Sequence, residues 1–158
     1  QLPAPKQRFR GLFSEGRASD GPGPGAAAHR RVALLCPLTY MNDAGRSVGP
    51  ARGALRLALE RVLVVHDEID LPFGEVRAKL GGGLAGHNGL KSIARALGGD
   101  GFERVRVGVG RPHSSDPEII SAHVLGAFRE PPEQVAELVA RACEEVAQLV
   151  FSQPEGAG

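Results

Sequence analysis

One stretch of the chain, residues 66–89, combines side chains that can take part in acid–base chemistry. It reads HDEIDLPFGEVRAKLGGGLAGHNG and contains acids, two histidines, an amide, two basic residues and three consecutive glycines. The acids at 67, 68 and 70 follow a short apolar run, 62–65, of the kind found in buried strands. Ligands of open α/β sheets bind at the carboxyl ends of such strands. An acid there can orient a histidine that activates a water, although a solvated acidic loop has the same composition.

A metal site in this stretch is disfavoured by the spacing of its ligand-type residues. Neighbouring residues on a strand point to opposite faces, so His66 and Asp67 cannot both bind one ion without a turn. The chain also has no His-x-x-x-His or Cys-x-x-Cys spacing. We therefore expect no bound metal.

Three glycines, Gly81, Gly83 and Gly86, formally satisfy the dinucleotide-binding pattern G-x-G-x-x-G. The preceding strand alternates polar and apolar residues, unlike a buried first Rossmann strand. The acids about 20 residues further on, Asp100 and Glu103, precede the next strand instead of ending it, where a ribose contact is needed. We expect these glycines to let a large ligand approach the backbone. Asn88, which follows them, is either a helix N-cap, a ligand-binding amide or both.

Two predicted strands carry pairs of cations on one face. Arg77 and Lys79 alternate with apolar residues in the first, and Arg104 and Arg106 alternate with valines in the second. Such pairs are usually solvated, but beside a glycine-lined crevice they can hold nucleic-acid phosphates without reading sequence. With one Tyr and no Trp, the chain is a poor candidate for base-stacking platforms.

The elements that must position these residues alternate between strands and helices, which predicts an α/β fold. Asn42 is expected to cap a helix, with a kink or a division into two short helices at Gly49-Pro50. The patterns predict strands at 8–13, 31–36, 61–65, 75–80 and 104–110, a loop at 19–28, and helices from 90 and from 131 to 151. Residues 9–35 resemble a hairpin with a long loop.

Composition narrows the class of protein. The net charge of +1 gives no global basic signature, so any nucleic-acid contact must depend on a local patch. Cys36 and Cys143 lie in apolar contexts, which predicts buried, reduced thiols. No apolar run approaches the ~20 residues that cross a bilayer, and we expect a cytoplasmic protein.

Three segments together resemble the bacterial-type peptidyl-tRNA hydrolase family. They are PLTYMNDAG (37–45), VLVVHDEIDLPFGEVRAKLGGGLAGHNGLKSI (62–93) and RVRVGVGRP (104–112). The resemblance extends over most of residues 8–151 and implies one domain, 1–151, followed by a disordered tail, 152–158. The fold that it implies is a mixed, mostly parallel twisted sheet sandwiched between helices.

The resemblance also implies a reaction and its residues. The family cleaves the ester that joins a peptide to the 3′ ribose of tRNA, which recycles tRNA from abandoned translation, without metal or cofactor. Asp67 matches the acid that orients and stabilises the general-base histidine. By the same matching, the peptide and acceptor-end cleft is lined by Tyr40, Met41, Asn42 and Asn88, and the cations on tRNA phosphate are Lys79 and Arg106. The expected partner is peptidyl-tRNA, held by a monomer.

The chain departs from the family pattern at its beginning. The family opens with a strand, a GLGNPG-like loop and a helix region whose R-H-N segment holds the catalytic histidine, and the five histidines here stand in other contexts. Since Met41 is the only methionine, we expect residues upstream of Gln1, including that first strand and helix. We accordingly expect the chain alone to release peptide no faster than an Asp67→Ala variant. The alternative function is a non-catalytic RNA-binding module of the same fold.

Overall fold

The computed structural model describes residues 2–19 and 29–152 and confirms the α/β class. Its strands are β1 (Lys6–Arg8), β2 (Gly11–Ser19), β3 (His29–Pro37), β4 (Leu63–Glu68), β5 (Val76–Leu80) and β6 (Glu103–Gly108). Its α-helices are α1 (Gly45–Leu55), α2 (Asn88–Leu97), α3 (Pro117–Leu125) and α4 (Pro132–Ser152). The chain divides into two compact units, the first formed by Gln1–Val62 with Gly81–Phe102 and the second by Leu63–Leu80 with Glu103–Gly158.

The sheet of the first unit is antiparallel, in the order β1-β2-β3. β2 and β3 pair from Gly11↔Pro37 to Ser19↔His29, so the predicted hairpin is confirmed. The expected strand at 8–13 is interrupted by a two-residue turn, because Phe9 and Arg10 both have a φ of 54°. Ser19 ends β2, and the rest of the loop expected at 19–28 lies outside the described residues.

The two helices of the first unit are held together at a close crossing. A Cβ on Gly45 would collide with the carbonyl oxygen of Ser92 and lie 2.8 Å from the Cβ of Ala96. The Gly45 N–H donates to Ser92 Oγ at 2.9 Å. Arg52 donates through Nη1 to the Leu97 carbonyl at 2.8 Å, which ties the end of α1 to the end of α2. The buried side of α2 has the predicted helical spacing, with Leu90 only 1% exposed.

Two predictions about α1 are wrong. Asn42 does not cap it: Met41–Asp43 form a 3₁₀ turn, and α1 begins at Gly45 after Ala44, which makes no side-chain cap. Gly49-Pro50 does not divide it into two helices either, since one helix runs through Pro50, and the kink given as the alternative stays a prediction. Pro50 lies in the second turn of the helix, so its missing N–H leaves the Arg46 carbonyl without its i→i−4 hydrogen bond. The contacts of α1 with α2 offset that loss.

The sheet of the second unit has the order β4-β6-β5. β4 and β6 are parallel, and β5 and β6 are antiparallel. The sheet is therefore mixed as predicted, but β4–β6 is the single parallel pair within the described ranges, which corrects the expectation of a mostly parallel sheet. The connection from β4 to β5 is too short for a parallel crossover, which needs about a dozen residues. The α4 helix packs on β5 and β6 and buries Leu138 and Ala142, two residues of its predicted apolar stripe.

Other local predictions are corrected by burial and by one additional helix. Cys36 and Cys143 are free and exposed instead of buried. Val65 is 51% exposed, so β4 is not buried on both faces. The α3 helix was not predicted, although its start carries a helix signal: Asp116 accepts from the Glu118 N–H at 2.8 Å, and Pro117 follows at the first position.

The end of the chain also differs from the expectation. Ser152 is the last residue of α4, so the predicted tail does not begin there, and residues 153–158 lie outside the described part. The structure contains no helix long and apolar enough to cross a membrane in the ranges 2–19 and 29–152.

Candidate active site

In the first unit, the predicted cleft residues lie where the 3₁₀ turn meets the start of α2. Met41 is the point of contact, because a Cβ on Gly89 would lie only 2.5 Å from its Sδ. Tyr40 is 84% exposed, and Asn42 and Asn88 are also exposed. A phenol and two amides are thus available to a ligand on this surface.

The structure assigns the cap of α2 to His87 and not to Asn88. The Nδ1 of His87 accepts from the Leu90 N–H at 3.2 Å, and Asn88 is the first residue of the helix. Sequence reasoning missed this because histidine is not among the preferred N-cap residues. Since the cap is supplied by His87, the amide of Asn88 remains available for a ligand.

A groove of about 550 Å³ lies between α1 and α2 and begins at Asn42. Its charged lining consists of Arg46, Arg95 and Asp43, with Arg46 and Asp43 paired at 3.8 Å. Gly45 and Gly49 form its floor together with Ser92 and Ala96. Gly45 and Gly49 face Ser92 and Ala96 there, so their lack of side chains lets α1 approach α2 closely.

In the second unit, Asp67 lies near the carboxyl end of β4, opposite Val107 of β6. It is partly buried. The residue before it, His66, is buried and donates from Nδ1 to the Asp67 carbonyl oxygen at 2.7 Å. Since successive residues of a strand alternate, the carboxylate of Asp67 and the ring of His66 belong to opposite faces of this sheet.

Lys79 and Arg106 belong to the same face of the second sheet. Arg77 pairs with Arg106 and Lys79 with Arg104 in the antiparallel register, so all four cations lie on one side. Lys79 is exposed, and the side chain of Arg106 is 21% exposed. Arg104 is only 1% exposed, so the expected surface role for it is wrong. Arg77 is engaged by Glu75 at 2.6 Å.

The sequence analysis named Glu68 only as one of the acids after the apolar run and did not predict its contact with Arg106. Its buried side chain places Oε2 3.7 Å from the Nε of Arg106, and its Oε1 accepts from the Asp70 N–H at 3.1 Å. The carboxylate thereby connects Arg106 to the loop that follows Asp67. Alternation along β4 places Glu68 on the same face as His66, and His66 lies opposite Arg106 in the parallel register. The alternation that puts Glu68 on this face is visible in the sequence.

The glycine-rich loop between β5 and α2 is explained by backbone conformation. Gly81, Gly82 and Gly86 have φ values of 55°, 77° and 76°, which other residues rarely adopt. Gly81 and Gly86 belong to the dinucleotide pattern, but its middle glycine, Gly83, does not have a positive φ. Among the residues that the structure describes, no three His, Cys, Asp or Glu side chains are grouped as metal ligands.

The fold and these two sets of residues define an α/β protein with exposed amides in one unit and two cations on one sheet face in the other. The sequence pattern of the peptidyl-tRNA hydrolase family matches residues 2–157, and the chain belongs to this family.

Individual relatives agree with this assignment. A peptidyl-tRNA hydrolase from Bradyrhizobium diazoefficiens is 45% identical over 143 residues, which is 90% of this chain and 64% of the relative. One from Mycolicibacterium vanbaalenii is 46% identical over 122 residues, covering 76% of this chain and 64% of the relative. The crystal structure of peptidyl-tRNA hydrolase from Acinetobacter baumannii superposes with a TM-score of 0.76 at 33% identity, covering 95% of this chain and 70% of that one. The chain thus spans just under two thirds of the length of these sequence relatives.

Proposed function

We propose that this protein acts in the hydrolysis of the ester bond between the peptide and the 3′ ribose of peptidyl-tRNA. The observation that carries the proposal is the family match over residues 2–157, supported by where the matched residues lie. Water is the attacking group, and the products are the free peptide and tRNA with its ribose hydroxyl restored. We further propose a cytoplasmic, monomeric protein that needs no metal or cofactor.

Asp67 is proposed as the acid that orients the general-base histidine. A histidine that removes a proton from water becomes an imidazolium in the transition state, and a fixed carboxylate stabilises that charge. The position of Asp67 near the carboxyl end of β4 suits this role, because ligand crevices of α/β sheets lie there. The partial burial of Asp67 strengthens the interaction relative to one in bulk water.

The substrate is proposed to be held by two kinds of contact. Tyr40, Asn42 and Asn88 offer exposed hydrogen-bonding groups to the peptide and the acceptor end, with Met41 in the cleft wall. Lys79 and Arg106 bind phosphate from one face of the second sheet. Glu68 limits the freedom of the Arg106 guanidinium and so reduces the entropy lost on binding.

The experiment compares peptide release from N-acetylated aminoacyl-tRNA by the unchanged chain and by Asp67→Asn. Free imidazole is added in parallel reactions, so that a base of the histidine type is present in each of them. With imidazole, we expect release to be slower by about tenfold or more in Asp67→Asn, because the imidazolium loses its stabilising charge. tRNA binding, measured by filter retention, should be the same for both proteins.

Asp70→Asn is the matched control, since Asp70 lies three residues beyond Asp67, in the turn after β4, and pairs with Arg111 at 2.6 Å on the exposed surface. It should release peptide at the rate of the unchanged chain. Equal release by the unchanged chain and Asp67→Asn, with tRNA binding retained, would contradict the catalytic role. That outcome would favour the non-catalytic RNA-binding module.

A further inference from the structure

The antiparallel sheet of the first unit has a charge that the whole chain does not have. Six Lys or Arg residues and one carboxylate, Glu15, lie in residues 6–19 and 29–37, whereas the whole chain has a net charge of +1. The six cations are Lys6, Arg8, Arg10, Arg17, Arg30 and Arg31. Apart from Arg30 they are all exposed. Positive charge is therefore concentrated on this sheet.

The strand register places four of these cations on one face. Arg8 pairs with Gly11, Lys6 with Phe13, and Arg17 with Arg31, and all of these positions have the same parity along β2. From Gly11, which pairs with Arg8, to Arg17 there are six residue steps along β2, or about 20 Å at the usual rise of a strand. We call Lys6, Arg8, Arg17 and Arg31 the basic stripe.

The basic stripe includes a cross-strand contact that opposes folding. Arg17 and Arg31 are directly opposite each other in the register, and like charges in that position are destabilising. Arg31 is compensated by Glu15 at 3.1 Å. Arg17 has no ion pair with any residue of 2–19 or 29–152. The repulsion between Arg17 and Arg31 would be relieved if the phosphates of a polyanion bound between them.

Arg8 is held in place without losing its hydrogen-bond donors. Its guanidinium lies 4.4 Å from the centre of the Phe9 ring and 5.3 Å from that of Phe13. The two rings meet edge to face at 5.2 Å. Stacking on rings uses the faces of the guanidinium and leaves its N–H edge for phosphate.

The turn that places Phe9 beside Phe13 is itself strained. Phe9 and Arg10 both adopt left-handed backbone, where two-residue hairpins normally use Asn or Gly. This turn puts the Phe9 ring within reach of Arg8 and puts Arg10 at the hairpin tip. The strained turn therefore helps to hold the Arg8 and Arg10 side chains on the surface.

From these observations we propose that the basic stripe binds backbone phosphates of the tRNA, in addition to those held by Lys79 and Arg106. The inference rests on the proposed function, which supplies the polyanion. A row of arginines matches a linear series of phosphates, because a guanidinium binds phosphate in a bidentate manner. A membrane surface is disfavoured, since Phe13 on this face is buried and offers no apolar anchor.

The test measures the affinity for unacylated tRNA as a function of salt. Arg8→Gln with Arg17→Gln should lower the slope of log affinity against log salt by about two, because each lost phosphate contact lowers it by about 0.9. Arg8→Lys with Arg17→Lys should retain the slope of the unchanged chain, since both charges remain. The matched control, Arg56→Gln with Arg129→Gln, removes two exposed charges elsewhere and should also retain it.

The single variant Arg17→Gln keeps the test available if the double variant folds poorly. It should melt at a higher temperature than the unchanged chain in low salt, and its slope should fall by about one. If the unchanged chain binds tRNA and Lys79→Gln lowers the slope while the basic-stripe variants do not, the inference is overturned and the proposed function stands. If the unchanged chain does not bind tRNA, both are overturned.

Discussion

Replacing both Lys79 and Arg106 with glutamine is expected to weaken tRNA binding by about 100-fold at low salt, since a hydrogen bond to a charged group contributes about 1.5–3 kcal/mol. The slope of log affinity against log salt should fall by about two, because two phosphate contacts are lost. Both side chains lie on one face of the β4-β6-β5 sheet, and Lys79 is exposed. Filter binding or fluorescence anisotropy with unacylated tRNA across a salt series measures both quantities.

The matched control for this prediction is Arg77→Gln with Arg111→Gln. Both arginines are exposed cations of the same unit, but each is already engaged by a carboxylate at 2.6 Å, Arg77 by Glu75 and Arg111 by Asp70. These contacts are shorter than the 3.7 Å that separates Arg106 from Glu68. A phosphate therefore competes less well with these carboxylates, and we expect an effect of less than about threefold. An unchanged salt slope in the Lys79 and Arg106 variant would exclude these residues as phosphate contacts.

Arg106→Gln has a structural consequence that must be separated from binding. Glu68 is buried and lies 3.7 Å from Arg106, so the substitution leaves its charge without this partner. Arg106→Lys retains the charge but not the planar guanidinium, and it should recover most of the salt slope. Thermal melting of each variant shows whether a loss of affinity comes from a loss of fold.

Gly45→Ala is expected to lower the free energy of unfolding by about 1–3 kcal/mol. Helix propensity alone predicts the opposite, a gain of about 0.5–1 kcal/mol. The loss prevails because the new Cβ would collide with the Ser92 carbonyl and crowd the Cβ of Ala96. The helix backbones must then separate, which also weakens the 2.9 Å hydrogen bond from Gly45 N–H to Ser92 Oγ.

Gly53→Ala is the control in the same helix. A Cβ on Gly53 would meet nothing within 4 Å, so only the propensity term remains and the variant should be more stable than the unchanged chain. Urea denaturation followed by circular dichroism measures both free energies. If Gly45→Ala and Gly53→Ala change stability in the same direction, the close approach of α1 to α2 is wrong.

The parts of the fold that sequence predicted well are those in which local pattern and burial agree. The valines of β6 alternate with polar residues, and Val105 is fully buried as that pattern requires. The apolar spacing of α2 predicted its inner face from Leu90 to Leu97. In α2 the periodicity is set by one buried side, so the pattern is visible in a short window. In β6 the valine face follows its pattern, but Arg104 on the opposite face is buried as well.

For the candidate site, the sequence predicted which residues belong to it but not their burial or their contacts. Motif resemblance located Lys79 and Arg106, and the register places them on one face. It did not reveal that Arg104, two residues before Arg106, is buried, nor that Glu68 reaches Arg106. Alternation assigns a residue to a face but does not say which part of that face is covered. The cap of α2 was misplaced for a similar reason, since His87 acts as a cap only because its ring reaches the Leu90 N–H.

By itself, the sequence determined the family, the α/β class and the charged and amide residues for which we propose contacts with a substrate. These properties depend on residue identity and on short-range periodicity, which one chain displays in full. The tertiary structure alone decided which cations are free, which acid holds Arg106 and how closely α1 approaches α2. The basic stripe was also invisible along the chain, because the register of β1, β2 and β3 brings its four residues to one face. Such properties depend on contacts between residues that are distant in sequence, and no local pattern encodes them.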